Sequence, residues 1–150
     1  HKFISYMLEY FFSIVIAMLL GMLLGVERTI AHKTAGLRTY SLVAMGSCLF
    51  IVIAQAVGDT IAPVVAADLL RVVAGIVTGI GFLGAGIIIV RSQTLTGLTT
   101  AAGLWVASGI GIAVGFGLYG IAVFATLLTL ATFTLFWFVE REVVDIAESN

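Results

Sequence analysis

The feature that most constrains this chain is the stretch from Leu98 to Val139, which contains no charged side chain. A membrane-spanning helix needs about 20 apolar residues, so this stretch is too long for one crossing and suits two. Paired glycines at 115–117 mark the expected break between them, because glycine weakens a helix. Three further apolar stretches precede this one. The predicted spans cover residues 4–26, 39–57, 69–90, 98–115 and 118–139.

The composition supports a protein that lives in the bilayer. Of the 150 residues, 61% are hydrophobic and only 10% are charged, whereas soluble domains are nearer half apolar and a quarter charged. We therefore predict an all-α polytopic membrane protein: one transmembrane domain of about five helices, with no soluble domain and with the lipid bilayer as its surroundings. A net charge of −1 gives no electrostatic case for binding nucleic acid.

The basic residues predict the orientation in the membrane. Arg28, Lys33 and Arg38 follow the first span, Arg91 follows the third and Arg141 follows the fifth. With five spans these regions lie on the same side, and an excess of basic residues marks the cytoplasmic side. We expect an extracytoplasmic N-terminus, a cytoplasmic C-terminus and location in the bacterial inner membrane.

Two charged pairs lie at the ends of predicted helices. Asp68 and Arg71 are spaced i, i+3 and can pair on one helix face, and Asp68 is also placed to cap the third span. This pair is either an anchored helix end or a buried ion pair that lines a site, since an intramembrane arginine needs a partner. Glu27 and Arg28 end the first span and are either solvated interface charges or part of a cation or proton site.

A magnesium site within one chain is not expected, and the metal ligands stay unassigned. Mg²⁺ prefers oxygen ligands and keeps several waters. Among the carboxylates near the membrane, Glu27 is predicted to lie on the opposite side from Asp59 and Asp68. Glu27 could also meet a basic residue, Lys33 or Arg38, across the first loop.

Glycines crowd the third predicted helix. Gly75-x-x-x-Gly79 forms a small-residue face of the kind that lets helices approach closely in membranes. Close packing is the favoured interpretation, and a hinge or pore is the second. The Gly-x-Gly-x-x-Gly string that starts at Gly79 resembles a dinucleotide-binding motif in letters alone, because it lies inside a span. The packing candidates are Gly21, Gly25, Gly75, Gly79, Gly81, Gly84 and Gly86.

The chain also resembles itself. The string Gly-Leu-x-Thr starts the second span at 36–39 and the fourth span at 97–100. Either spans one and two repeat as spans three and four in the same direction, or the string is a common helix start. A repeat would bring two helix N-termini together, which favours an anion, a lipid headgroup or an acidic partner. The candidate residues of this site are Lys33, Arg38, Thr39, Thr99 and Thr100.

Three stretches in order carry a resemblance to a known family. They are residues 21–28 with 33–39, residues 68–71 with 79–86, and residues 97–102 followed by Trp105. Together they resemble the MgtC/SapB family of bacterial membrane proteins from about Leu19 to Glu140. Family members often have Asp-Pro-x-Arg where this chain has Asp-Leu-Leu-Arg at 68–71, and many continue into a soluble C-terminal domain.

The resemblance implies a role in adaptation to magnesium limitation and in survival under acid or host stress. The favoured mechanism is regulation of another membrane complex, such as the ATP synthase, by a chain that acts as a homodimer or oligomer. The alternative is a transporter or channel for Mg²⁺ or another ion, with its pore between chains. We expect no cofactor, with Mg²⁺ considered only as a ligand or transported ion.

We also expect no enzymatic activity. Spanning proteases need a nucleophile with a base, or an aspartate pair, inside the membrane. Ser41, Ser47 and Ser108 lie within predicted spans, but the histidines, His1 and His32, lie outside them.

Overall fold

Five long helices form the chain in a computed structural model that describes residues 2–61, 65–91 and 94–148. Each helix is long and apolar enough to cross a membrane, which confirms the predicted membrane bundle. The side chains of Asp59, Arg91 and Arg141 lie outside the described ones. The helices are α1 (Lys2–Ile30), α2 (Leu37–Thr60), α3 (Ala66–Ile87), α4 (Leu98–Gly115) and α5 (Tyr119–Glu148).

The link between α3 and α4 differs from the prediction. The third span was expected to continue to residue 90, but α3 ends at Ile87 and Ile88 is already extended. Two short strands follow, β1 (Ile89–Arg91) and β2 (Thr94–Thr96), which pair antiparallel. The run of β-branched residues at 87–90 explains the change, because such residues favour strand over helix.

The break between α4 and α5 lies where the glycines predicted it. Gly117 adopts a left-handed conformation (φ 72°) that glycine reaches without steric cost. Its N–H donates to the Val114 carbonyl, and the N–H of Leu118 donates to the Ala113 carbonyl. These two bonds form a Schellman motif, which satisfies carbonyls at the end of α4 and turns the chain back.

The centre of the bundle is the parallel contact between α2 and α4. Half of the α4 span is buried, a larger share than in any other helix. Gly111 lies directly against the backbone carbonyl of Ala44, so the two helices touch through main chain. Nearby, the hydroxyls of Ser47 and Ser108 hydrogen-bond to each other at 2.9 Å in the buried interior. These serines are separated by the 61 positions that relate the two Gly-Leu-x-Thr strings, although the repeat itself stays a prediction.

The helices α1 and α5 pack on this central pair, whereas α3 is held loosely. Gly21 of α1 lies against the Tyr40 carbonyl of α2, and Gly25 lies against Leu37. On the other side, Gly103 of α4 leaves room for the Phe133 ring of α5. Only 11% of the α3 span is buried. The fold is therefore a compact four-helix unit with one helix largely exposed on its side.

We expect Gly111→Ala to destabilise the bundle, since a methyl group there would collide with the Ala44 carbonyl. Overpacking of this kind costs about 1–3 kcal/mol. The matched control is Gly109→Ala in the same helix, where an added methyl group meets open space. That change should be neutral or stabilising by up to about 1 kcal/mol. Unfolding midpoints in detergent measure both, and equal midpoints would contradict the assigned contact.

Candidate functional site: a buried arginine cluster

Arg28 is a buried charge at the end of the bundle that carries the turn between α1 and α2. We call this end the basic end, after Arg28, Lys33 and Arg38. Only 3% of Arg28 is exposed, although it lies near the end of a membrane span where its side chain could reach water. Burying an arginine in a membrane is costly unless other groups compensate its charge. The residues that surround Arg28 are therefore the candidate functional site.

Three kinds of group surround the Arg28 guanidinium. Its Nη2 donates to the Thr100 hydroxyl at 3.3 Å. Its Nη1 lies 3.7 Å from Oε2 of Glu27. The ring of Phe133 lies below its Cζ, 4.4 Å from the ring centroid, which is a cation–π geometry. One side chain thereby connects α1 with α4 and α5.

Tyr40 of α2 completes what we call the arginine cluster: Glu27, Arg28, Tyr40, Thr100 and Phe133. The Tyr40 hydroxyl donates to the backbone carbonyl of Thr100 at 3.3 Å. Its ring meets that of Phe133 edge to face, with centroids 6.4 Å apart. Tyr40 is fully buried. The cluster therefore ties four of the five helices together at the basic end.

The cluster retains unused hydrogen-bonding capacity. Within the described part of the chain, Nε of Arg28 and Oε2 of Glu27 are both buried without a hydrogen-bond partner. The 3.7 Å separation makes their ion pair a loose one, compared with about 2.7–2.9 Å for a short charge-assisted hydrogen bond. Chemically, the cluster can hold a largely buried charge pair and still accept a further hydrogen-bond partner at each of these two atoms.

The turn that follows Arg28 and leads into α2 is held by backbone and side-chain hydrogen bonds. The helix α1 ends in a turn in which Lys33 N–H donates to the Arg28 carbonyl and His32 N–H donates to the Thr29 carbonyl. These two bonds form a Schellman motif, and His32 adopts the left-handed conformation (φ 54°) that the motif requires. The Thr29 hydroxyl then accepts from the Leu37 N–H at 3.0 Å, which satisfies one free donor at the start of α2.

The structure separates the residues of the predicted anion site. Tyr40 contacts Thr100, so the starts of α2 and α4 are neighbours as expected. Thr100 is buried against Arg28, but Thr99 is exposed. Thr39 is half-buried and faces a groove between α2 and α3. The three hydroxyls are therefore not gathered in one place.

The structure distinguishes between the alternatives left open for the charged residues of α1 and its turn. Glu27 could have paired with Lys33 or Arg38, but the ion pair in the described chain joins it to the adjacent Arg28. Lys33 and Arg38 are both exposed. Adjacent helical residues start about 100° apart, yet both long side chains bend toward the same interhelical space. Arg28 itself is not a solvated interface charge.

The Asp68–Arg71 pair is present but is not buried. The two side chains lie 3.6 Å apart and are 52% and 84% exposed, respectively. An ion pair in such a setting contributes little to stability. The predicted cap is also wrong: Val65 occupies the N-cap position of α3 without a side-chain cap hydrogen bond, and Asp68 lies in the first turn. The chain reaches its helical conformation before Asp68, so this side chain favours the helix dipole instead.

The glycines of α3 do not pack closely within the chain. Among the residues that the structure describes, Gly84 is in ordinary contact with Ala101 of α4. A methyl group added at the other four positions would meet open space. These are Gly75, Gly79, Gly81 and Gly86.

A polar pocket that the sequence did not indicate lies at the opposite end of the bundle. It has a volume of about 490 Å³ and lies between the ends of α1, α2 and α5. Glu9, Gln55 and Tyr119 are among its polar lining residues. Ser13 also lines it and hydrogen-bonds to the Tyr119 hydroxyl at 2.7 Å. No group of three or more potential metal-ligating His, Cys, Asp or Glu residues occurs in the described part of the chain.

Comparison with known proteins places this fold in a family. A family model for the MgtC family matches residues 14–142, which includes the whole arginine cluster. This chain belongs to the MgtC family. The membership confirms the resemblance carried by the motifs at 21–39, 68–86 and 97–105, and it makes this a multi-pass bacterial membrane protein. The start of α1, including Glu9 of the polar pocket, lies outside the matched residues.

Curated relatives support the MgtC assignment. The chain is 38% identical over 130 residues to YhiD of Escherichia coli K12, whose name describes it as a candidate magnesium transporter; the match covers 85% of this chain and 60% of YhiD. It is 42% identical over 115 residues to the MgtC protein of Brucella abortus, covering 77% of this chain and 46% of the relative. It is 39% identical over 139 residues to SrpB of Synechococcus elongatus, covering 87% and 76%.

The match to YhiD spans about 60% of that relative's length. No solved structure matches the chain.

Sequence reasoning missed two members of the arginine cluster. Tyr40 directly follows the basic motif at 33–39, and this position beside basic residues is a local signal that could have indicated it. Phe133 lies in the middle of an apolar helix and gives no local signal. Its role depends on the packing of α5 against α4 at Gly103.

We expect Thr100→Val to destabilise the protein by about 1–3 kcal/mol, because it removes the hydroxyl that accepts from Arg28 and leaves a buried donor unpaired. The neighbouring Thr99→Val is the control, since Thr99 is exposed and its loss should cost close to nothing. Thr39→Val should behave like the control. Thermal unfolding in detergent measures these effects. A Thr100→Val protein as stable as Thr99→Val would show that the arginine cluster does not depend on this contact.

Proposed function

We propose that this chain is a regulatory membrane protein that binds another membrane complex and contributes to adaptation to magnesium limitation and to acid or host stress. The observation that carries the proposal is the exposed outer face of α3. We define this face as Ala74, Thr78, Gly81, Phe82 and Ala85, all of which are exposed.

The outer face of α3 has the composition of a helix–helix contact. Small residues let another backbone come close, which is how helices associate in lipid, where the hydrophobic effect between them is absent. Phe82 is 81% exposed and projects from this small-residue surface. The lipid-exposed surface of α5 is different, because large residues such as Phe124 and Leu127 cover it. The partner that family resemblance favours is a membrane complex such as the ATP synthase, and a second copy of the chain is the other candidate.

The packed interior supports regulation over transport through a single chain. Gly111 against Ala44 and Gly115 against Ile51 close the space between α2 and α4. An ion pathway usually has a polar lining, whereas the buried hydroxyls of Ser47 and Ser108 at this contact hydrogen-bond to each other.

We place the protein in the inner membrane with the basic end in the cytoplasm. Arg28, Lys33 and Arg38 at this end support the orientation through the positive-inside rule. The polar pocket with Glu9 then faces the extracytoplasmic side.

Ion transport by an oligomer is the second candidate, and the polar pocket is the observation that favours it. Its charged lining residue is the carboxylate of Glu9, and its other polar groups include hydroxyls and the amide of Gln55. Such oxygen ligands suit a hydrated cation. YhiD of Escherichia coli carries a name that describes a candidate magnesium transporter, which is the same class of substrate.

Mg²⁺ uptake into proteoliposomes of the purified protein, read by a trapped indicator, separates the two candidates. We expect uptake no faster than in empty vesicles, since the chain interior is packed. The matched variant is Glu9→Gln. Uptake above background would contradict the regulatory proposal, and its loss in Glu9→Gln would assign the pocket to the transport route.

We expect a photo-cross-linking residue at position 82 to capture a membrane protein partner in cells, because Phe82 projects from the outer face of α3. The same cross-linker at position 124 on α5 is the control for random lipid-phase collisions. Gly81→Leu should reduce capture at least severalfold, while Gly120→Leu, another exposed glycine with open space around it, should not. Equal capture from positions 82 and 124 would refute the outer face of α3 as the contact.

A further inference from the structure

A long apolar groove separates α2 from α3, and we call it the α2–α3 groove. Its volume is about 810 Å³. Arg38 and Thr39 lie at one end of its α2 wall and Phe50 at the other, while Gly75, Gly79 and Leu83 line the α3 wall. Its remaining lining is apolar except for Ser47, whose hydroxyl is already bonded to Ser108.

The groove cannot be an empty or water-filled space in a bilayer. Water gains no hydrogen-bond partners along apolar walls, and a void of this size would cost the lining atoms their contacts. Something apolar and elongated must fill it. Lipid acyl chains are present at this depth of the bilayer, so they can fill the groove without another protein.

The dimensions of the groove match one leaflet. From Arg38 to Phe50 the helix rises about 18 Å, and half of the hydrocarbon thickness of a bilayer is about 15 Å. With Arg38 at the membrane surface, the groove therefore extends to about the midplane. A phospholipid of that leaflet has the same layout, with its headgroup at the surface and its chain below.

The positive charge of Arg38, at the surface end of the α2–α3 groove, favours an anionic lipid headgroup. Arg38 is exposed, and no ion pair joins it to a carboxylate among the side chains that the structure describes. A guanidinium binds a phosphate through two parallel hydrogen bonds, and the Thr39 hydroxyl beside it adds a further donor. The cytoplasmic leaflet, on which the basic end is expected to lie, is rich in anionic lipid.

We propose that the α2–α3 groove binds one anionic phospholipid of the cytoplasmic leaflet, with its phosphate at Arg38 and an acyl chain along Gly75 and Gly79. The glycines are what keep the groove open, because any larger side chain at these positions would project into it. This site lies on a different side of α3 from Ala74, Thr78 and Gly81, so a lipid in the groove leaves that part of the outer face of α3 free. Phe82 lies seven residues after Gly75, at the border between the groove and the outer face.

The test is native mass spectrometry of the whole chain, released from detergent after titration with phosphatidylglycerol or with phosphatidylcholine of the same chain length. We expect one phosphatidylglycerol to bind more tightly than phosphatidylcholine. Arg38→Gln should weaken phosphatidylglycerol binding about fivefold, which corresponds to about 1 kcal/mol for one basic residue at an anionic surface, and should remove the preference for that headgroup. Gly79→Leu should abolish binding of both lipids.

Two matched controls separate the groove from general effects. Lys33→Gln removes an exposed cation from the same end of the bundle without touching the groove, and Gly81→Leu enlarges a glycine of the same helix outside the groove lining. Both should bind phosphatidylglycerol like the unmodified chain. Arg38 is exposed and Gly79 has open space around it, so both test variants should fold, and their unfolding midpoints verify this.

Several results would overturn the proposal. Equal binding of both lipids by the unmodified chain would remove the headgroup site, and an unchanged Arg38→Gln variant would remove the role of Arg38. Retention of lipid by Gly79→Leu would place the lipid elsewhere, and a cross-link from position 79 to a protein in cells would make the groove a helix-docking site. None of these results depends on the partner captured at position 82, so the two proposals fail separately.

Discussion

The main-chain contact between α2 and α4 is the constraint on which the rest of this bundle depends. In lipid, helices gain no hydrophobic energy by meeting, so they associate through close packing and hydrogen bonds. Gly111 allows α4 to touch the Ala44 carbonyl, and Ser47 and Ser108 add a buried hydrogen bond next to it. With this pair fixed, α1 packs on α2 through Gly21 and Gly25, and α5 packs on α4 at Gly103. Glycine, at different positions, thus makes three separate helix–helix contacts possible: α2 with α4, α1 with α2 and α4 with α5.

The arginine cluster forms as a consequence of that helix packing and does not arise independently of it. Thr100 and Tyr40 face each other because α2 and α4 are parallel and in contact. Phe133 reaches the cluster because Gly103 gives its ring room. Arg28 then has a hydroxyl, a carboxylate and an aromatic face around it, which together lower the cost of burying its charge.

The sequence predicts the membrane bundle well and its interior poorly, for a physical reason. Spans follow from long apolar stretches, and the break at Gly117 follows from local backbone geometry, so both are visible in the chain itself. The burial of Arg28 is not, because it requires Thr100 and Phe133, which are remote in sequence. The prediction that Asp68 caps α3 was wrong although capping is a local property. An aspartate caps a helix only from the position before its first turn, and α3 already begins at Ala66. The strands after Ile87 show a local β-branched run overriding an apolar pattern that suits a helix equally well.

Glycine frequency was the least reliable guide, and α3 and α4 show why. Both helices contain several glycines, yet those of α4 include Gly103, Gly111 and Gly115 at close contacts, whereas Gly75, Gly79, Gly81 and Gly86 of α3 have open space around them. A glycine in the interior of a helix costs about 1 kcal/mol relative to alanine, and packing against the described residues does not explain these four, because an added methyl group would meet none of them. They lie on two sides of α3, one facing the α2–α3 groove and the other facing outward. The helix α3 carries small residues on two of its sides and is held loosely by the rest of the chain. It is therefore suited to binding a lipid on one side and another protein on the other.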